Sequence, residues 1–385
     1  MTARVTITLD QLLNCEHDRT LLETMYRYGL EYTSEGLILG RYRVLSAGQL
    51  GPWSEGGLIN PGVLPIPEGY GLMVRAEPND ATWVKDFRDS LATPIWCVLD
   101  QDMQLLHFHP LSNEGLPPNS RAEDWRLFQY GGELYSNHSL YWEIDEQLHC
   151  YPVISRVDLA AGRLELLHIL NPPFPRTLEE KNWNVFVHHD GDRDRLLCIY
   201  RFKPYQLLEI DLNSGQTTPY MEPYPQNWAW HNKGDRFISS STNLIIWDES
   251  HYITFVHDYL ESDASNFRNR TYMQYAVLVS RQSLLPVSVI PHPLLMGGYE
   301  QGRHPGVHYT MALVRHHDQL LAFYGEGDSH TGVAIIDANR LDALFLAHRL
   351  PQETALIPDC NSISPSPLPP DHPSIQDDNS VAIAG

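Results

Sequence analysis

The segment from Arg121 to Phe128 places two adjacent carboxyl groups, those of Glu123 and Asp124, between two arginines. A carboxyl group that burial or a neighbouring carboxylate keeps protonated near neutral pH can act as a general acid. Adjacent side chains on an extended strand point to opposite faces, so we expect one carboxylate to face a site and the other to bind backbone or an arginine. The competing interpretation is a solvated charge cluster at the start of a strand.

The chain is strongly acidic: its 385 residues include 27 lysines and arginines against 48 aspartates and glutamates, which gives a net charge of −21. Binding to nucleic acid or to an anionic membrane needs clustered positive charge, so the composition argues against both kinds of partner. Any phosphate site must then be a small local pocket in an acidic body.

The five cysteines are far apart and show neither CxxC pairs nor the Cys/His spacing of a metal site. They are Cys15, Cys97, Cys150, Cys198 and Cys360. We therefore expect free thiols in a reducing compartment. No signal-peptide pattern occurs near the start, and no run of about 18 apolar residues occurs, so we expect a cytoplasmic protein without a membrane span.

Short apolar runs alternate with Gly, Asp and Asn turn clusters from about residue 45 to residue 335, and long helical periodicity is missing there. The number of indicated strands is too large for a simple sandwich. Small sheets repeated around an axis accommodate many strands without long exposed edges. The pattern therefore predicts an all-β fold, a β-propeller, to which we assign five blades.

The predicted organisation has three parts. Residues 1–45 form an N-terminal extension that packs on the propeller and includes an amphipathic helix near Leu12–Tyr28. Residues 46–350 form the β-propeller catalytic domain, which a helix at Asp337–His348 closes. Residues 359–385, rich in proline and serine and then acidic, form a disordered tail.

Five short motifs occur in order between about residues 58 and 337. They are Ile59-Asn60-Pro61-Gly62 with Val74-Arg75-Ala76-Glu77, Glu123-Asp124-Trp125-Arg126, Glu180-Lys181-Asn182-Trp183, Thr254-Phe255-Val256-His257 with Tyr272 and Tyr275, and Tyr324-Gly325-Glu326-Gly327-Asp328. Together they resemble the β-mannoside phosphorylases and related enzymes of glycoside hydrolase family 130, which are five-bladed β-propellers, and the mannosyltransferases built on the same fold. Trp125 stands where that family usually has proline. Proline fixes φ and removes a backbone donor, so the loop around Asp124 can differ from the family's.

A glycosidic bond breaks through an oxocarbenium-like transition state, and its leaving oxygen needs a proton. The resemblance implies that Asp124 supplies this proton as general acid and that Glu123 tunes it. In a phosphorylase the nucleophile is inorganic phosphate, and the resemblance implies a cationic phosphate site of Arg75, Arg126 and Lys181. The implied substrate-binding residues are Asn60, Glu123, Asn182, His257, Tyr275 and Asp328. No cofactor is expected beyond phosphate as co-substrate.

The primary hypothesis is an inverting enzyme that moves a β-linked hexose, mannose by resemblance, between an oligosaccharide and phosphate. A glycosyltransferase with a sugar-nucleotide or sugar-phosphate donor is one alternative. A hydrolase is another, and it needs a second carboxylate that the sequence does not identify. A propeller that binds glycan or protein without catalysis is the third. The expected partner is an oligosaccharide or a sugar phosphate, and a homo-oligomer is left open.

Other patterns point to chemistry less specifically. His188-His189-Asp190 and the pair His107 and His109 contain metal-ligand residue types. Adjacent side chains do not easily share a tetrahedral site, and a polar strand face explains the second pair, so no metal is predicted. No Walker or Rossmann glycine pattern occurs, which argues against nucleotide binding by those routes.

Overall fold

The computed structural model describes most of the chain. The described ranges are 36–78, 92–191, 193–223, 238–261, 270–290, 293–297, 302–304 and 306–350. The predicted helix near Leu12–Tyr28 and the predicted tail at 359–385 lie outside these residues. All of the described residues belong to one unit.

The described strands form five sheets, and the predicted five-bladed β-propeller is confirmed. Blade 1 consists of β2 (Gly57–Ile66), β3 (Gly69–Glu77), β4 (Thr93–Asp100) and β5 (Leu105–Pro110). Blade 2 consists of β6 (Ser112–Glu114), β7 (Ser120–Tyr130), β8 (Glu133–Ile144), β9 (Gln147–Asp158) and β10 (Arg163–Ile169). Blade 3 consists of β11 (Asn184–Asp190), β12 (Arg193–Phe202), β13 (Tyr205–Ile210) and β14 (Thr217–Pro219).

Blades 4 and 5 complete the ring. Blade 4 consists of β15 (Ser239–Ser240), β16 (Ile245–Ile246), β17 (His251–Glu261), β18 (Arg270–Ser280), β19 (Pro286–Val289) and β20 (Leu295–Met296). Blade 5 consists of β21 (His308–His316), β22 (Gln319–Glu326), β23 (His330–Asp337) and β1 (Ile38–Leu45). Neighbouring strands are antiparallel except β6 and β10, which pair in parallel.

The core lies between the blades, because both faces of each sheet pack against a neighbour. One cluster joins Leu72 of β3 to Phe323 and Val333 of blade 5, and all three are fully buried or nearly so. Strand β3 is buried along its whole length. Its first six residues, Gly69–Val74, are therefore apolar without alternation, and the charged Arg75 and Glu77 at its end are buried as an ion pair.

Blade 5 combines strands from the two ends of the described chain. Strand β1 pairs with β23 in an antiparallel register that places Ile38 opposite Ile336. The part of the predicted N-terminal extension that is described is thus an outer strand of this blade. A helix follows β23 as predicted: α1 spans Ala338–Ala347, and the Asp337 side chain caps it by accepting from two backbone N–H groups.

Cys97, Cys150 and Cys198 are buried free thiols, while the other two cysteines lie outside the described residues. Across the ranges described, no helix has the length and apolar character needed to cross a membrane.

Candidate active site

Residues from all five blades line a cavity of about 680 Å³ near the starts of the inner strands. Further along the same strands, apolar side chains line a separate pocket of about 300 Å³. The polar cavity contains seven of the ten residues predicted for the site. They are Asn60, Arg75, Asp124, Lys181, Asn182, His257 and Asp328. The structure thus brings together side chains from motifs that are far apart in the sequence.

Asp124 lies on a β-bulge of β7 rather than on regular strand. The pairing of β7 with β8 shifts register between Glu123 and Arg126, and Asp124 has a φ of 64°. A bulge of this kind redirects side chains relative to regular strand. The expectation that one carboxylate faces the site and the other binds an arginine is met: Asp124 lines the cavity, whereas Glu123 does not and pairs with Arg75. Glu123, predicted as a substrate-binding residue, is thus a buried partner of Arg75 and Lys181.

Left-handed backbone recurs at four residues that line the cavity. Asn60 and Asp328 have φ of 51°, Asn182 has φ of 62°, and Asp124 has φ of 64°. Asparagine and aspartate tolerate this region better than other non-glycine residues. Gly325 allows Asn60 to approach, since a Cβ at that glycine would lie 2.2 Å from Asn60 Oδ1. Irregular backbone and the candidate site therefore coincide.

Arg75 and Lys181 hold the two carboxylates. Arg75 lies 2.6 Å from Glu77, 2.6 Å from Glu123 and 3.5 Å from Asp124, measured between nitrogen and oxygen. Lys181 Nζ lies 2.6 Å from Glu123 Oε1 and 3.4 Å from Asp124 Oδ2. Arg126 also acts on Asp124 electrostatically. With Arg126 counted, the cluster has three cations against three carboxylates, those of Glu77, Glu123 and Asp124.

Asp124 is ionised in these surroundings. Burial alone raises the pKa of this carboxyl, but the charges of Lys181, Arg75 and Arg126 outweigh burial and hold the pKa well below its usual range. A hydrogen bond of 2.7 Å from Asn60 Nδ2 to Asp124 Oδ1 acts in the same direction. The sequence analysis expects Asp124 to be protonated as a general acid, whereas the surrounding charges by themselves keep it ionised. The pKa of Glu123 is lowered as well. Burial raises it, but the charges of Arg75 and Lys181 outweigh burial.

Asp328 also lines the cavity, and its pKa lies much nearer neutrality than that of Asp124. Burial raises its pKa to about 6, although the charges of Arg75 and Arg303 oppose the rise. Sequence reasoning placed Asp328 among the substrate-binding residues and found no sign of this difference between the two aspartates. The difference arises from packing, because the lysine reaches Asp124 from a neighbouring blade.

Arg126 is buried and does not line the cavity. It donates to Ser241 O at 2.9 Å and to Tyr309 Oη at 2.7 Å, and less closely to Asn182 Oδ1 at 3.2 Å. Tyr309 Oη in turn donates to Asn182 Oδ1 at 2.8 Å. Arg126 thus supports two residues of the cavity wall, Asn182 and Tyr309. It does not lie in the position of a direct phosphate ligand, which is where the sequence analysis expects it.

The tyrosines of the cavity differ from the one that was predicted. Tyr275 lies in the hydrophobic core between blades 3 and 4, where its hydroxyl donates to Met273 Sδ at 3.6 Å. Its prediction as a cavity residue is wrong. Tyr272 and Tyr309 line the cavity instead, and their ring centroids lie 5.6 and 4.9 Å from that of His257. Tyr141 also lines it and accepts a hydrogen bond from Lys181 at 3.1 Å.

Trp125 points away from the cavity into the core between blades 1 and 2, where it is fully buried. Its carbonyl oxygen packs on Gly62 of β2, so closely that a Cβ there would lie 2.1 Å from it. The bulge that carries Asp124 is thus in close contact with blade 1.

His188 and His189, which the sequence places side by side, contact different residues. His188 Nδ1 lies 3.0 Å from Tyr252 Oη, whereas His189 Nδ1 lies 2.5 Å from Asp194 Oδ1. Within the part of the chain that the structure covers, no three metal-ligating side chains gather.

Comparison with solved structures identifies the fold. A β-1,2-mannobiose phosphorylase from Listeria innocua aligns with a TM-score of 0.56 and 14% identity over 80% of this chain and 100% of that one. A mannose phosphorylase from Leishmania mexicana in complex with a phosphate ion aligns with a TM-score of 0.52 and 12% identity over 83% and 93%.

A third structure comes from work on the GH130 family of mannoside phosphorylases and its glycoside hydrolases that target β-1,2-mannosidic linkages in Candida mannan. It aligns with a TM-score of 0.51 and 13% identity over 74% of this chain and 86% of that one. No protein-family model and no curated protein matches the chain. The resemblance to glycoside hydrolase family 130 is therefore confirmed as a likeness of fold.

Proposed function

We propose that the protein is a carbohydrate-active enzyme that transfers a β-linked hexosyl group, of the mannose type, to inorganic phosphate with inversion. The observation that carries the proposal is the position of Asp124: a fully buried carboxylate that lines the cavity beside Lys181 and Arg75. Structural neighbours that are mannoside phosphorylases support the proposal.

The proposed reaction is a single displacement. A phosphate oxygen attacks the anomeric carbon, the bond from that carbon to the leaving oxygen breaks, and Asp124 gives its proton to the leaving oxygen. The products are a shortened glycan and an α-hexose 1-phosphate. Arg75 and Lys181 lie where they can interact with the phosphate, and the step uses no cofactor other than this co-substrate.

Asp124 must gain a proton before it can act as general acid, and phosphate binding can bring this about by raising its pKa. A phosphate dianion placed near Lys181 competes with Asp124 for its positive charge and adds negative charge nearby. Both effects raise the pKa of Asp124, because a negative neighbour disfavours ionisation. We therefore place proton uptake by Asp124 at the phosphate-binding step.

The test is product analysis. The protein is incubated with β-mannobiose or other β-linked hexosides, with and without phosphate, and the expected product is α-mannose 1-phosphate or the corresponding hexose 1-phosphate. Asp124→Asn should lower turnover by at least about 100-fold, because a positioned general acid contributes on the order of 10²–10⁴. Failure to form a sugar phosphate from any β-hexoside would overturn phosphorolysis.

A second candidate, hydrolysis, is favoured by the balance of charge in the cluster. Three carboxylates already balance three cations, which leaves little net positive charge for a phosphate dianion. An inverting hydrolase needs a second carboxyl as base, and Asp328 supplies one in the same cavity with a pKa of about 6. Release of free mannose without phosphate, lost in Asp328→Asn, would favour this candidate.

A further inference from the structure

His257 belongs to a chain of buried hydrogen bonds that ends on a backbone carbonyl. Gln274 Nε2 donates to the carbonyl oxygen of His308 at 2.8 Å. Ser241 Oγ donates to Gln274 Oε1 at 2.8 Å, and Ser241 Oγ lies 2.9 Å from His257 Nδ1. Ser241 and Gln274 are fully buried, and His257 is 5% exposed.

The direction of each bond in this chain follows from the one before it. A carbonyl oxygen only accepts, so the amide nitrogen of Gln274 must face His308 and its oxygen must face Ser241. The single hydroxyl proton of Ser241 is then used on Gln274. Ser241 Oγ can only accept from His257, which places a proton on His257 Nδ1.

The opposite ring nitrogen of His257 carries no proton at neutral pH. Burial, with the charges of Arg126 and Lys181, lowers the pKa of this imidazole to about 3, against weaker opposition from Asp124 and the Ser240 backbone. Because the neutral ring has its proton on Nδ1, Nε2 keeps a lone pair. His257 lines the cavity.

We infer that His257 presents a hydrogen-bond acceptor to the ligand and that Ser241 and Gln274 are positioning residues that fix this tautomer. The ligand group at His257 is then an O–H donor. Its source is either a sugar hydroxyl or the protonated oxygen of hydrogen phosphate. An anionic oxygen without a proton is disfavoured there, because its negative charge would face the lone pair of His257 Nε2. The identity of the ligand rests on the proposed function, whereas the tautomer does not.

Nitrogen NMR of ¹⁵N-histidine-labelled protein tests the tautomer without any turnover. The His257 signals are identified by their loss in His257→Gln. The expected spectrum at pH 7 shows a protonated Nδ1 and an unprotonated Nε2, and Ser241→Ala should remove this preference. A proton on Nε2, or a Ser241→Ala spectrum with the same tautomer, would overturn the inference. Should Ser241→Ala fail to fold, the wild-type spectrum alone decides.

Three ligands then distinguish the source of the O–H group. β-Mannobiose offers hydroxyls, hydrogen phosphate offers one proton, and sulfate is a matched dianion without a proton at neutral pH. A shift of the Nε2 signal by the disaccharide alone assigns a sugar hydroxyl, and a shift by phosphate but not sulfate assigns the P–OH group. A shift of similar size with sulfate, or none with any ligand, would overturn the donor requirement.

Two substitutions of His257 separate its ring nitrogens in function. Glutamine can place an amide oxygen near the position of Nε2, whereas asparagine reaches only the position of Nδ1. His257→Asn should lose on the order of 10–100-fold in kcat/KM, because it leaves the O–H group of the ligand without its acceptor at a cost of roughly 1–3 kcal/mol. His257→Gln should retain about tenfold more activity, since one neutral hydrogen bond is worth roughly that factor. Equal loss in both variants would contradict the role of Nε2.

Discussion

Lys181 Nζ donates to Glu123 Oε1 across 2.6 Å, although the two residues are 58 positions apart and belong to neighbouring blades. The glutamate is buried, with 2% of its side chain exposed, while 21% of the lysine side chain is exposed toward the cavity. This pair fixes the segment that precedes β11 against the bulge of β7. It therefore sets both the shape of the cavity wall and the charge around Asp124.

Lys181→Met should destabilise the protein by about 3–5 kcal/mol at pH 7, because it leaves buried carboxylates short of a partner. Both carboxyls have lowered pKa values in the fold. The stability they contribute is present above their unfolded pKa values and is lost as pH falls through the folded ones. The difference between variant and wild type should therefore shrink in acid.

Urea unfolding at several pH values measures this effect. Lys203→Met is the matched control, since Lys203 is exposed and its change should alter the free energy of unfolding by less than about 0.5 kcal/mol. Equal loss in both variants, or a loss for Lys181→Met that does not depend on pH, would contradict the importance of the buried pair.

Phosphate binding should be accompanied by proton uptake near neutral pH, because the bound dianion raises the pKa of Asp124. Calorimetric titration with phosphate in two buffers of different ionisation enthalpy measures the number of protons taken up. Asp124→Asn should abolish the uptake while keeping phosphate binding. The same proton number for wild type and Asp124→Asn would show that Asp124 does not titrate in this step, because the ionisation of phosphate itself contributes equally to both.

Asp328→Asn should stabilise the protein above pH 6 by as much as about 3 kcal/mol. The pKa of Asp328 is about 6 in the fold, against 3.8 for the unperturbed group. The unfolded chain therefore releases its proton first as pH rises, and the stability of the wild type falls between these two values. Asparagine avoids this cost and suits the left-handed backbone of the position. Thermal unfolding at pH 4 and pH 7.5 should show a gain only at the higher pH.

Gly62→Ala should destabilise the protein by about 1–3 kcal/mol and lower activity, because the added Cβ meets the Trp125 carbonyl next to Asp124. Gly40→Ala in β1 is the matched control. The three atoms nearest to its Cβ all belong to the ring of Tyr42, which is 55% exposed and can rotate away. Urea unfolding and kinetics of the two variants make the comparison, and a Gly62→Ala protein as stable as Gly40→Ala would contradict the close packing.

The sequence predicted the propeller because strand periodicity and turn clusters are local properties of the chain. The motifs also predicted which segments meet at the cavity. The bulge at Asp124 was missed, because the rule of alternating faces assumes regular strand. A signal for it exists: asparagine or aspartate stands at each left-handed position of the cavity, in three cases within or just before an inner strand.

The protonation states and the supporting network could not be read from sequence. They depend on distances between blades, such as that from Lys181 to Asp124. Ser241 and Gln274 carry no motif, and only the fold brings them to His257. Tyr275 was misplaced for a related reason, since a tyrosine near a motif is equally suited to a core.

The pairing of β1 with β23 makes the propeller a structure of high contact order. Blade 5 gains its outer strand from residues that precede blades 1 to 4 in the sequence, and that strand has no partner until β23 has been synthesised. Blades 1 to 4 each form from one continuous stretch of the chain, whereas blade 5 joins two segments that the other four blades separate in sequence. Asp328 lies between β22 and β23, so the blade that depends on this distant pairing also contributes a carboxyl group to the cavity.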